Sequence, residues 1–433
     1  MSDPLETGEA VGLPPARPAV DPQAGPAVDP QAGPTVDPQA GPTVDPQAGL
    51  TVDPQAGLTV DPQVGPATTV GGLGVRPVIN ASATLTMLGG SLMPAPVLKA
   101  MNDAAAQFVD LDELHTRVGE RLAELTHNEA AYVTCGAAAA ITLTVAACIT
   151  DQAQAFPVDT EVVMFASQRN GYDYGVQLTG ARIVEIGPSV DELRAVLTRK
   201  PACVLWFAGT HFAAGALAVE DVAGVAAEAG VPVIVDAAAQ IPPVSTLWRF
   251  TRDVGADALI LSGGKGLRGP QASGLVLGRR WVVDRCRLHA SPNQDIGRGM
   301  KVGKEELLGL LAAVEWTLEQ DEATVLAGYE RIVDNWIRGL QGMPGVIVTR
   351  GYPSEAGQPH SRAVVRLSTT SGWTRDDLVS ALWDGDPRIA VGTFRMPDDA
   401  IALNPQTLEP GEDEKVLEAL VGLLSSGNGE QAG

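Results

Sequence analysis

The chain has 433 residues, of which 45% are hydrophobic but only 4% aromatic, so its core must consist mainly of Ala, Val and Leu side chains. The 52 acidic and 30 basic residues give a formal net charge of −22, and no run of basic residues offsets it locally. Because nucleic acids bind to basic surfaces, this balance argues against a nucleic-acid partner.

The first predicted segment is a repetitive tail at residues 1–74. Over residues 18–65 an eight-residue unit built around Val-Asp-Pro-Gln occurs six times. Each unit places a proline after an aspartate and ends in glycine, so neither a helix nor a strand ladder can continue through it. One valine per unit does not offset the entropy of ordering the chain. We expect a disordered, acidic tail; a stacked solenoid is the alternative, although solenoid repeats are longer.

Residues 75–303 are predicted to form a large α/β domain. A helical pattern covers 95–125, after which short apolar runs typical of strands alternate with helix-length segments. This repeated order predicts a mostly parallel sheet covered by helices on both faces. The predicted strands are 131–134, 162–166, 182–186, 203–208, 233–236, 258–261 and 273–277, and the helices between them include 136–149, 172–180 and 219–229.

The rest of the chain predicts a connecting helical region and a smaller domain. Apolar positions at helical spacing continue over 304–342, which indicates one long helix or two joined helices. Residues 343–433 are predicted to form a small C-terminal α+β domain. Its predicted strands are 345–349 and 363–367, and its predicted helices are 374–382 and 413–424.

The cysteine and histidine spacing predicts neither a disulfide framework nor a metal site. The cysteines form no CxxC pair, which is typical of reduced thiols, and four of the histidines show no metal-ligand spacing. The N-terminus lacks the basic and apolar regions of a signal peptide, and no run of about 18 apolar residues follows. We therefore expect a cytoplasmic protein with no membrane partner. The residues concerned are Cys135, Cys148, Cys203, Cys286, His115, His127, His289 and His360.

The most informative stretch surrounds Lys265. A predicted strand ends near Ser262, and Lys265 follows in a glycine-bounded turn, while another strand ends in Asp236. In an open α/β sheet, ligands bind at the carboxyl ends of the strands, so Asp236 and Lys265 are expected on the same rim. Each residue type is also common in turns and exposed loops, and it is their order and spacing that indicate a site.

Such a pair suits pyridoxal 5′-phosphate (PLP). A lysine can hold the cofactor aldehyde as a Schiff base, and an aspartate at the pyridine nitrogen keeps that nitrogen protonated, so that the ring withdraws electrons from the substrate Cα. The lysine can also transfer protons. Cys135, Gly136 and Ala137 end a strand and begin an Ala-rich helix whose free N–H groups suit a phosphate, and Ser262 adds a hydroxyl.

The chain resembles the fold-type-I PLP enzymes related to bacterial L-seryl-tRNA(Sec) selenium transferase, and within them the D-glucosaminate-6-phosphate ammonia lyase branch. The resemblance covers the chain from about residue 75 onward and leaves out the repeat tail. It implies that Lys265 is the Schiff-base lysine, Asp236 the pyridinium partner and Cys135 with its two successors the phosphate loop. It rests on RPVINASATLTMLGGSLM at 76–93, FVDLDELHTRVGERLAELT at 108–126, VIVDAAAQIPP at 233–243, SGGKGLRGPQASG at 262–274 and IGRGMKVGKEE at 296–306.

Two positions depart from the family pattern. Such enzymes usually have Asn-Ala-Thr-Gly where this chain has Asn-Ala-Ser-Ala at 80–83, and a Ser-Gly-Ala turn where it has Cys135. The loss of a hydroxyl at Cys135 weakens one possible phosphate contact, and the loss of glycine at Ala83 bears on substrate access. The substrate is therefore less determined by the resemblance than the cofactor.

Further candidates follow the predicted strands. Tyr172 follows the strand at 162–166 and is a candidate for stacking on the cofactor ring, and Arg169 in the same loop is a candidate for binding an anion. His211 follows the strand at 203–208 and is a candidate hydrogen-bonding or proton-transfer group. Ordinary packing of Tyr172 and a backbone hydrogen bond of His211 are the alternatives.

Three more arginines are candidates for binding a substrate carboxylate or phosphate. Arg268 lies three residues after the lysine, Arg298 lies in an Ile-Gly-Arg sequence, and Arg395 lies in the predicted small domain. A guanidinium binds carboxylates and phosphates in bidentate fashion. Surface or interface ion pairing is the alternative role.

The sequence thus favours a PLP-dependent lyase that releases ammonia from a small polar amino acid or amino sugar acid. A homodimer or higher homo-oligomer is the family expectation. Racemisation, aldol cleavage and transamination use the same cofactor and stay open as alternatives. A selenium transferase would need a basic tRNA-binding region, whereas the N-terminal repeat is acidic. A PLP-binding regulator would need a basic helix-turn-helix module, which no segment before Val75 resembles.

Overall fold

The computed structural model describes Val70 and residues 72–157 and 159–426. The tail predicted at 1–74 therefore lies almost wholly outside the described residues, and its predicted disorder stays a prediction. The described part belongs to one compact unit, within which the predicted boundaries at 303 and 342 also stay predictions. Among the described residues, no helix has both the length and the apolar character needed to cross a membrane.

Strands and helices alternate through the first half of the described chain. The strands are β1 (Val78–Ala81), β2 (Ala130–Thr134), β3 (Glu161–Phe165), β4 (Arg182–Ile186), β5 (Cys203–Phe207), β6 (Val233–Asp236), β7 (Ala258–Ser262), β8 (Gly274–Gly278), β9 (Val346–Gly351), β10 (Arg362–Leu367), β11 (Arg388–Val391) and β12 (Ala400–Leu403). The helices are α1 (Ala95–Ala105), α2 (Leu111–Leu125), α3 (Ala137–Ile149), α4 (Tyr174–Gln177), α5 (Val190–Leu197), α6 (Thr210–Ala213), α7 (Val219–Ala229), α8 (Thr246–Trp248), α9 (Arg280–His289), α10 (Lys304–Glu319), α11 (Glu322–Leu340), α12 (Arg375–Asp384) and α13 (Glu412–Ser426).

A seven-stranded sheet in the order β2-β8-β7-β6-β5-β3-β4 forms the centre of the fold. The pairs from β7 to β4 are parallel, and only β8 runs antiparallel to both of its neighbours. Both faces of the sheet are buried, because Val163 and Phe165 belong to one hydrophobic cluster while Val162 and Met164 belong to another. This explains why the strands read as continuous apolar runs. The predicted α/β class with a mostly parallel sheet is confirmed.

Two smaller sheets lie in the C-terminal part. Strands β12, β10 and β9 form an antiparallel sheet, while β1 pairs in parallel with β11. Their shared core includes Trp336, which is fully buried and donates its indole N–H to the carbonyl of Asp413 at 3.0 Å. The pairing of β1 with β11 brings the N-terminal segment against the C-terminal part of the chain.

Some predicted elements differ from those observed. The helical pattern at 95–125 is two helices, and the Asp110 side chain caps the second by accepting hydrogen bonds from the N–H groups of Asp112 and Glu113. The pattern at 304–342 is likewise two helices, which was one of the two options. The predicted helix at 172–180 shrinks to a short turn followed by α4.

Candidate active site

A cavity of about 310 Å³ opens where the parallel strands end. Asp236 is the last residue of β6, Ser262 is the last residue of the neighbouring β7, and Lys265 follows in the turn; all three line this cavity, called the cofactor cavity below. Parallel neighbours end at the same edge of a sheet, so the position of each side chain follows from where its strand stops. The structure thus brings the two principal predicted residues together.

Burial changes the protonation of both principal residues. Asp236 is almost fully buried, and burial raises the pKa of its carboxyl from 3.8 to about 6, against the opposing effects of the Ala238 N–H and of Lys265. The hydrogen bond from the Ala238 N–H to Asp236 Oδ1 is 2.9 Å long. Burial also lowers the pKa of the Lys265 amine, and the Asp236 charge opposes that shift. A buried acid beside a buried amine is typical of a functional site.

The turn that carries Lys265 is held by close backbone contacts. Ser91 donates its hydroxyl to the carbonyls of Gly264 and Lys265, at 3.1 and 2.8 Å. A Cβ at Gly266 would lie 2.0 Å from the carbonyl oxygen of Ile241, so only glycine fits that position. The glycines of the turn are therefore required by packing, and the packing fixes where the lysine side chain begins.

The predicted phosphate loop lies at the other side of the cofactor cavity. Cys135, Gly136 and Ala137 line it, and Gly136 has a φ of +132° just before α3 begins. Because this position has no capping side chain, the first N–H groups of the 13-residue helix α3 are free to bind an anion. A Cβ on Gly274 of β8 would lie 2.5 Å from the carbonyl carbon of Gly136 and 2.8 Å from the N of Ala137. Any larger residue at position 274 would therefore displace the predicted phosphate loop.

His211 lines the cofactor cavity. Its Nδ1 is buried and has no hydrogen-bond partner, and its ring lies 4.0 Å from that of Phe212. Burial, with a smaller effect of the Arg395 charge, lowers the pKa of His211 and favours the neutral ring. Tyr172 lines the same cavity at its exposed edge.

These residues fit PLP. The cavity falls at the lower end of the usual range for small-molecule sites, about 300–1,000 Å³. It offers a buried carboxyl for a pyridine nitrogen, an amine for an aldehyde and a helix N-terminus for a phosphate. The unpartnered Nδ1 of His211 is a buried polar atom that the protein alone leaves unsatisfied.

The four predicted substrate arginines do not line the cofactor cavity. Arg169 forms ion pairs with Asp173 and Glu185. Arg268 donates its Nε–H to the carbonyl of Leu92 at 2.7 Å and pairs with Glu409 at 2.6 Å. Both side chains are therefore engaged in the ion pairing that was the alternative interpretation.

The remaining two arginines are exposed. Arg298 lies in the loop before α10, and Arg395 lies over the ring of Phe394, with its guanidinium carbon 5.7 Å from the ring centroid. Arg395 is near enough to His211 to affect the pKa of that ring. Of the four arginines, Arg395 is the one whose charge shifts the pKa of a residue that lines the cofactor cavity. Substrate binding by any of the four stays a prediction.

The structure adds cavity residues that the sequence reasoning missed. Gln271 donates to the carbonyl of Thr86, and Gln240 donates to the carbonyl of Ala356, both at 2.7 Å. These bonds hold the N-terminal segment and a loop of the C-terminal part against the cavity, which all four residues line. Gln240 could have been predicted as a cavity residue because it lies four residues after Asp236, where a strand ends. No local pattern in the sequence marks Thr86 or Ala356.

Comparison with known proteins is consistent with this geometry. No protein-family model matches the chain. D-glucosaminate-6-phosphate ammonia lyase from Salmonella typhimurium is 33% identical over 360 residues, which cover 78% of this chain and 93% of the relative. A 5′-C-glycyluridine monooxygenase-decarboxylase from a Streptomyces species is 33% identical over 383 residues, covering 83% of this chain and 93% of the relative. L-seryl-tRNA(Sec) selenium transferase from Desulfomicrobium baculatum is 28% identical over 203 residues, covering 42% of this chain and 41% of the relative.

Comparison with solved structures again finds a D-glucosaminate-6-phosphate ammonia lyase. The structure of a D-glucosaminate-6-phosphate ammonia lyase superposes with a TM-score of 0.69 at 28% identity, covering 82% of this chain and 97% of that chain. A serine palmitoyltransferase from Sphingomonas wittichii superposes with a TM-score of 0.55 at 16% identity, covering 82% of this chain and 89% of that chain, and so shares the fold.

The sheet topology and the relatives together define a fold-type-I PLP-dependent enzyme, as the sequence predicted. The chain belongs to the L-seryl-tRNA(Sec) selenium transferase-like superfamily of these enzymes, in the branch that includes D-glucosaminate-6-phosphate ammonia lyase.

Proposed function

We propose that this protein is a PLP-dependent lyase that releases ammonia from a small polar amino acid or amino sugar acid by α,β-elimination. The observation that carries the proposal is the meeting of Lys265 and Asp236 in one buried cavity, each with the protonation shift that burial produces. The 33% identity to a named ammonia lyase over 78% of this chain supports this reaction class.

Five residues of the cofactor cavity are given binding roles. Lys265 attaches the cofactor aldehyde, Asp236 pairs with the pyridine nitrogen, and the N-terminus of α3 holds the phosphate through Gly136 and Ala137. His211 adds a ring that can form a hydrogen bond from the cavity wall. When bound, PLP supplies an electron sink for the bonds at the substrate Cα.

Lys265 is also the group that moves protons. Because burial lowers the pKa of its amine, a larger fraction is neutral near pH 7 than for an exposed lysine, and the neutral amine accepts the proton from the substrate Cα. A leaving group then departs from Cβ with the electron pair of its bond and takes up the proton that Lys265 accepted, which returns the amine to its neutral form. The enamine that leaves the site is hydrolysed to a keto product and ammonia. The neutral ring of His211 is placed to exchange a proton in the same cavity.

Attachment and reaction can be tested separately. Borohydride reduction of protein supplied with PLP should fix the cofactor on the peptide that contains Lys265, and Lys265→Ala should abolish that label while Lys99→Ala, at an exposed lysine, keeps it. A label elsewhere contradicts the assignment. Amino acids and amino sugar acids are then screened for ammonia and keto product. Repeated turnover without a keto acid acceptor supports the lyase, turnover that needs the acceptor indicates an aminotransferase, and inversion at Cα without ammonia indicates a racemase.

Oxidative decarboxylation is a second candidate function. The observation that favours it is the identity to the monooxygenase-decarboxylase, which equals that to the ammonia lyase at 33% and covers a larger share of this chain. Such a reaction needs dioxygen and releases carbon dioxide from the substrate carboxylate. Measuring turnover, oxygen uptake and carbon dioxide with and without air separates the two, since elimination proceeds without oxygen.

We also propose that the protein is a homodimer. The loop between α1 and α2 exposes the apolar side chains of Phe108 and Val109, and Leu111 at the start of α2 is also exposed. Phe108 is fully exposed. Burying an aromatic side chain of this kind stabilises by about 1.5–3 kcal/mol, so a second copy is a suitable cover. Phe108→Asp should shift the protein from dimer to monomer in light scattering, whereas Asp103→Asn, a conservative change on exposed α1, should not. A wild-type monomer contradicts the proposal.

A further inference from the structure

The turn that carries Lys265 has few side chains with which to hold its position. Of its seven residues, 263–269, four are glycines. Leu267 is fully buried in the hydrophobic cluster on one face of the large sheet. Arg268 is therefore the one polar side chain of the turn besides that of Lys265, and it does not line the cofactor cavity.

The backbone of Arg268 has a conformation that favours glycine. Its φ is +54°, in the left-handed region, where a residue with a Cβ is strained and glycine is not. In a turn that already contains four glycines, arginine is thus the less favourable residue for the backbone. Strain of this kind is retained where the side chain makes contacts that glycine cannot make.

The side chain of Arg268 joins three distant parts of the chain to the turn. Its Nε–H donates to the carbonyl of Leu92 at 2.7 Å, and a terminal amine donates to the Glu409 carboxylate at 2.6 Å. Its guanidinium carbon lies 5.6 Å from the centroid of the Trp316 ring in α10. An exposed ion pair alone contributes little, but these contacts together fix the plane of the guanidinium. Arg268 therefore ties the turn to the N-terminal segment, to α10 and to the C-terminal part.

Arg268 is also bonded directly to the backbone of Lys265. The N–H of Arg268 donates to the carbonyl of Lys265 at 2.9 Å. The same carbonyl accepts from the hydroxyl of Ser91 at 2.8 Å, and Ser91 precedes Leu92, to which the Arg268 side chain donates. The Lys265 carbonyl is thus held from both sides by groups that Arg268 links, so a displacement of Arg268 reaches the lysine through one hydrogen bond.

We propose that Arg268 is a positioning residue for Lys265, which acts through the turn and contacts neither cofactor nor substrate. The inference rests on the proposed function, because it concerns the lysine that attaches the cofactor. In the intact turn the Lys265 amine is buried, and burial lowers its pKa. Without the Arg268 side chain the turn loosens and water reaches the amine, so its pKa rises toward that of an ordinary lysine.

The chain offers a well-matched pair of variants. Arg268→Gly removes the side chain and supplies the residue that best tolerates the left-handed backbone, so the turn itself can still form. Lys200→Gly is the control, because Lys200 is also left-handed, with a φ of +56°, and also donates to a backbone carbonyl, that of Ala229 at 2.5 Å. Lys200 is exposed and does not line the cofactor cavity.

Competitive labelling with acetic anhydride measures the Lys265 amine in the full chain without a substrate. Only the neutral amine is acetylated, so mass spectrometry of the peptide that contains Lys265, over a range of pH, gives its titration midpoint. In cofactor-free Arg268→Gly the midpoint should rise by at least about half a pH unit, and in Lys200→Gly it should stay at the wild-type value. A midpoint that Arg268→Gly leaves unchanged overturns the inference.

A double-mutant cycle tests the tie to the C-terminal part. Glu409→Gln removes the negative partner of Arg268 and should raise the midpoint in the same direction by a smaller amount. The double variant should match Arg268→Gly alone, because Glu409 acts on Lys265 only through Arg268. Additive shifts would mean that Glu409 acts on Lys265 by another route, and would overturn this part of the inference.

Kinetics and cofactor labelling separate this inference from substrate binding and from the proposed function. With an amino compound that the enzyme turns over, Arg268→Gly should lower kcat at least about tenfold and leave KM within about threefold. A raised KM with unchanged kcat assigns Arg268 to substrate binding and overturns the inference. Borohydride reduction reports independently whether Lys265 carries the cofactor. Its failure rejects the proposed function, while the acetylation midpoint still decides whether Arg268 positions the lysine.

Discussion

Replacing Asp236 with asparagine is expected to stabilise the cofactor-free protein while weakening cofactor binding. Without a cofactor, the Asp236 carboxylate is buried and burial dominates its protonation. Asparagine has nearly the same shape, keeps an oxygen that can accept from the Ala238 N–H, and carries no charge. The variant therefore removes the burial penalty at neutral pH and also removes the negative partner for a pyridine nitrogen.

The magnitude follows from the pKa. A rise in the carboxyl pKa from 3.8 to about 6 corresponds to about 3 kcal/mol between the two protonation states, as an order of magnitude. The folded protein binds the proton more tightly than the unfolded chain, so the contribution of Asp236 to stability is fully present below pH 4 and is lost as the pH rises through about 6. The pKa of about 6 already includes the attraction between the Asp236 carboxylate and Lys265.

Urea unfolding of cofactor-free protein at pH 4 and at pH 7.5 measures this difference. At pH 7.5 the asparagine variant should be more stable than the wild type by up to about 3 kcal/mol, and at pH 4 the two should be close. Asp103→Asn, at an exposed position, controls for a general loss of charge. A variant less stable than the wild type at pH 7.5, or a gain that does not depend on pH, would refute the reasoning.

Spectrophotometric titration with PLP completes the test. The asparagine variant should bind the cofactor at least about tenfold more weakly, because a neutral amide does not stabilise a protonated pyridine nitrogen. Equal affinity for PLP in both proteins would mean that Asp236 does not contact that nitrogen.

Three other changes probe the site and the tail. Lys265→Ala should abolish ammonia release by more than about a thousandfold, because the variant has no amine to attach PLP or to take the Cα proton, and residual turnover near the wild-type rate would contradict this assignment. Gly274→Ala should weaken PLP binding at least about tenfold in a spectrophotometric titration, because its Cβ would lie 2.5 Å from the carbonyl carbon of Gly136; Gly422→Ala, which meets no atom within 4 Å, serves as the control. Deleting residues 1–74 should leave the melting temperature and the PLP spectrum nearly unchanged, since the repeat has too little apolar content to pack, and a large loss of either would show that the tail docks on the rest of the chain.

The central part of the site could be predicted from the sequence because the end of a strand is marked by the local pattern of residues. An apolar run that stops at Asp236, and another that stops before Lys265, predict both residues on one rim, and the parallel pairing of β6 with β7 brings them there. The cap at Asp110 was also readable, because an aspartate followed three residues later by glutamate is a common helix start. The boundary between α1 and α2 was missed because apolar residues continue through the loop that joins them.

Other features depend on residues far apart in the chain. Arg268 was a candidate for binding substrate, with ion pairing as the alternative, and no local pattern relates it to its ion-pair partner Glu409 in the C-terminal part. The short strands β1 and β11 become recognisable only through their pairing with each other.

The pairing of β1 with β11 has a consequence for biosynthesis. Val78 leaves the ribosome roughly 300 residues before its partner Arg388, which at about 5–20 residues per second is a delay of roughly 15–60 s. During that interval the seven strands of the large sheet can already assemble, because β8, the last of them, ends at Gly278. The nascent chain thus presents Asp236 and Lys265 before Ala356 has been synthesised and added to the lining of the cavity, and a cofactor can enter from that side.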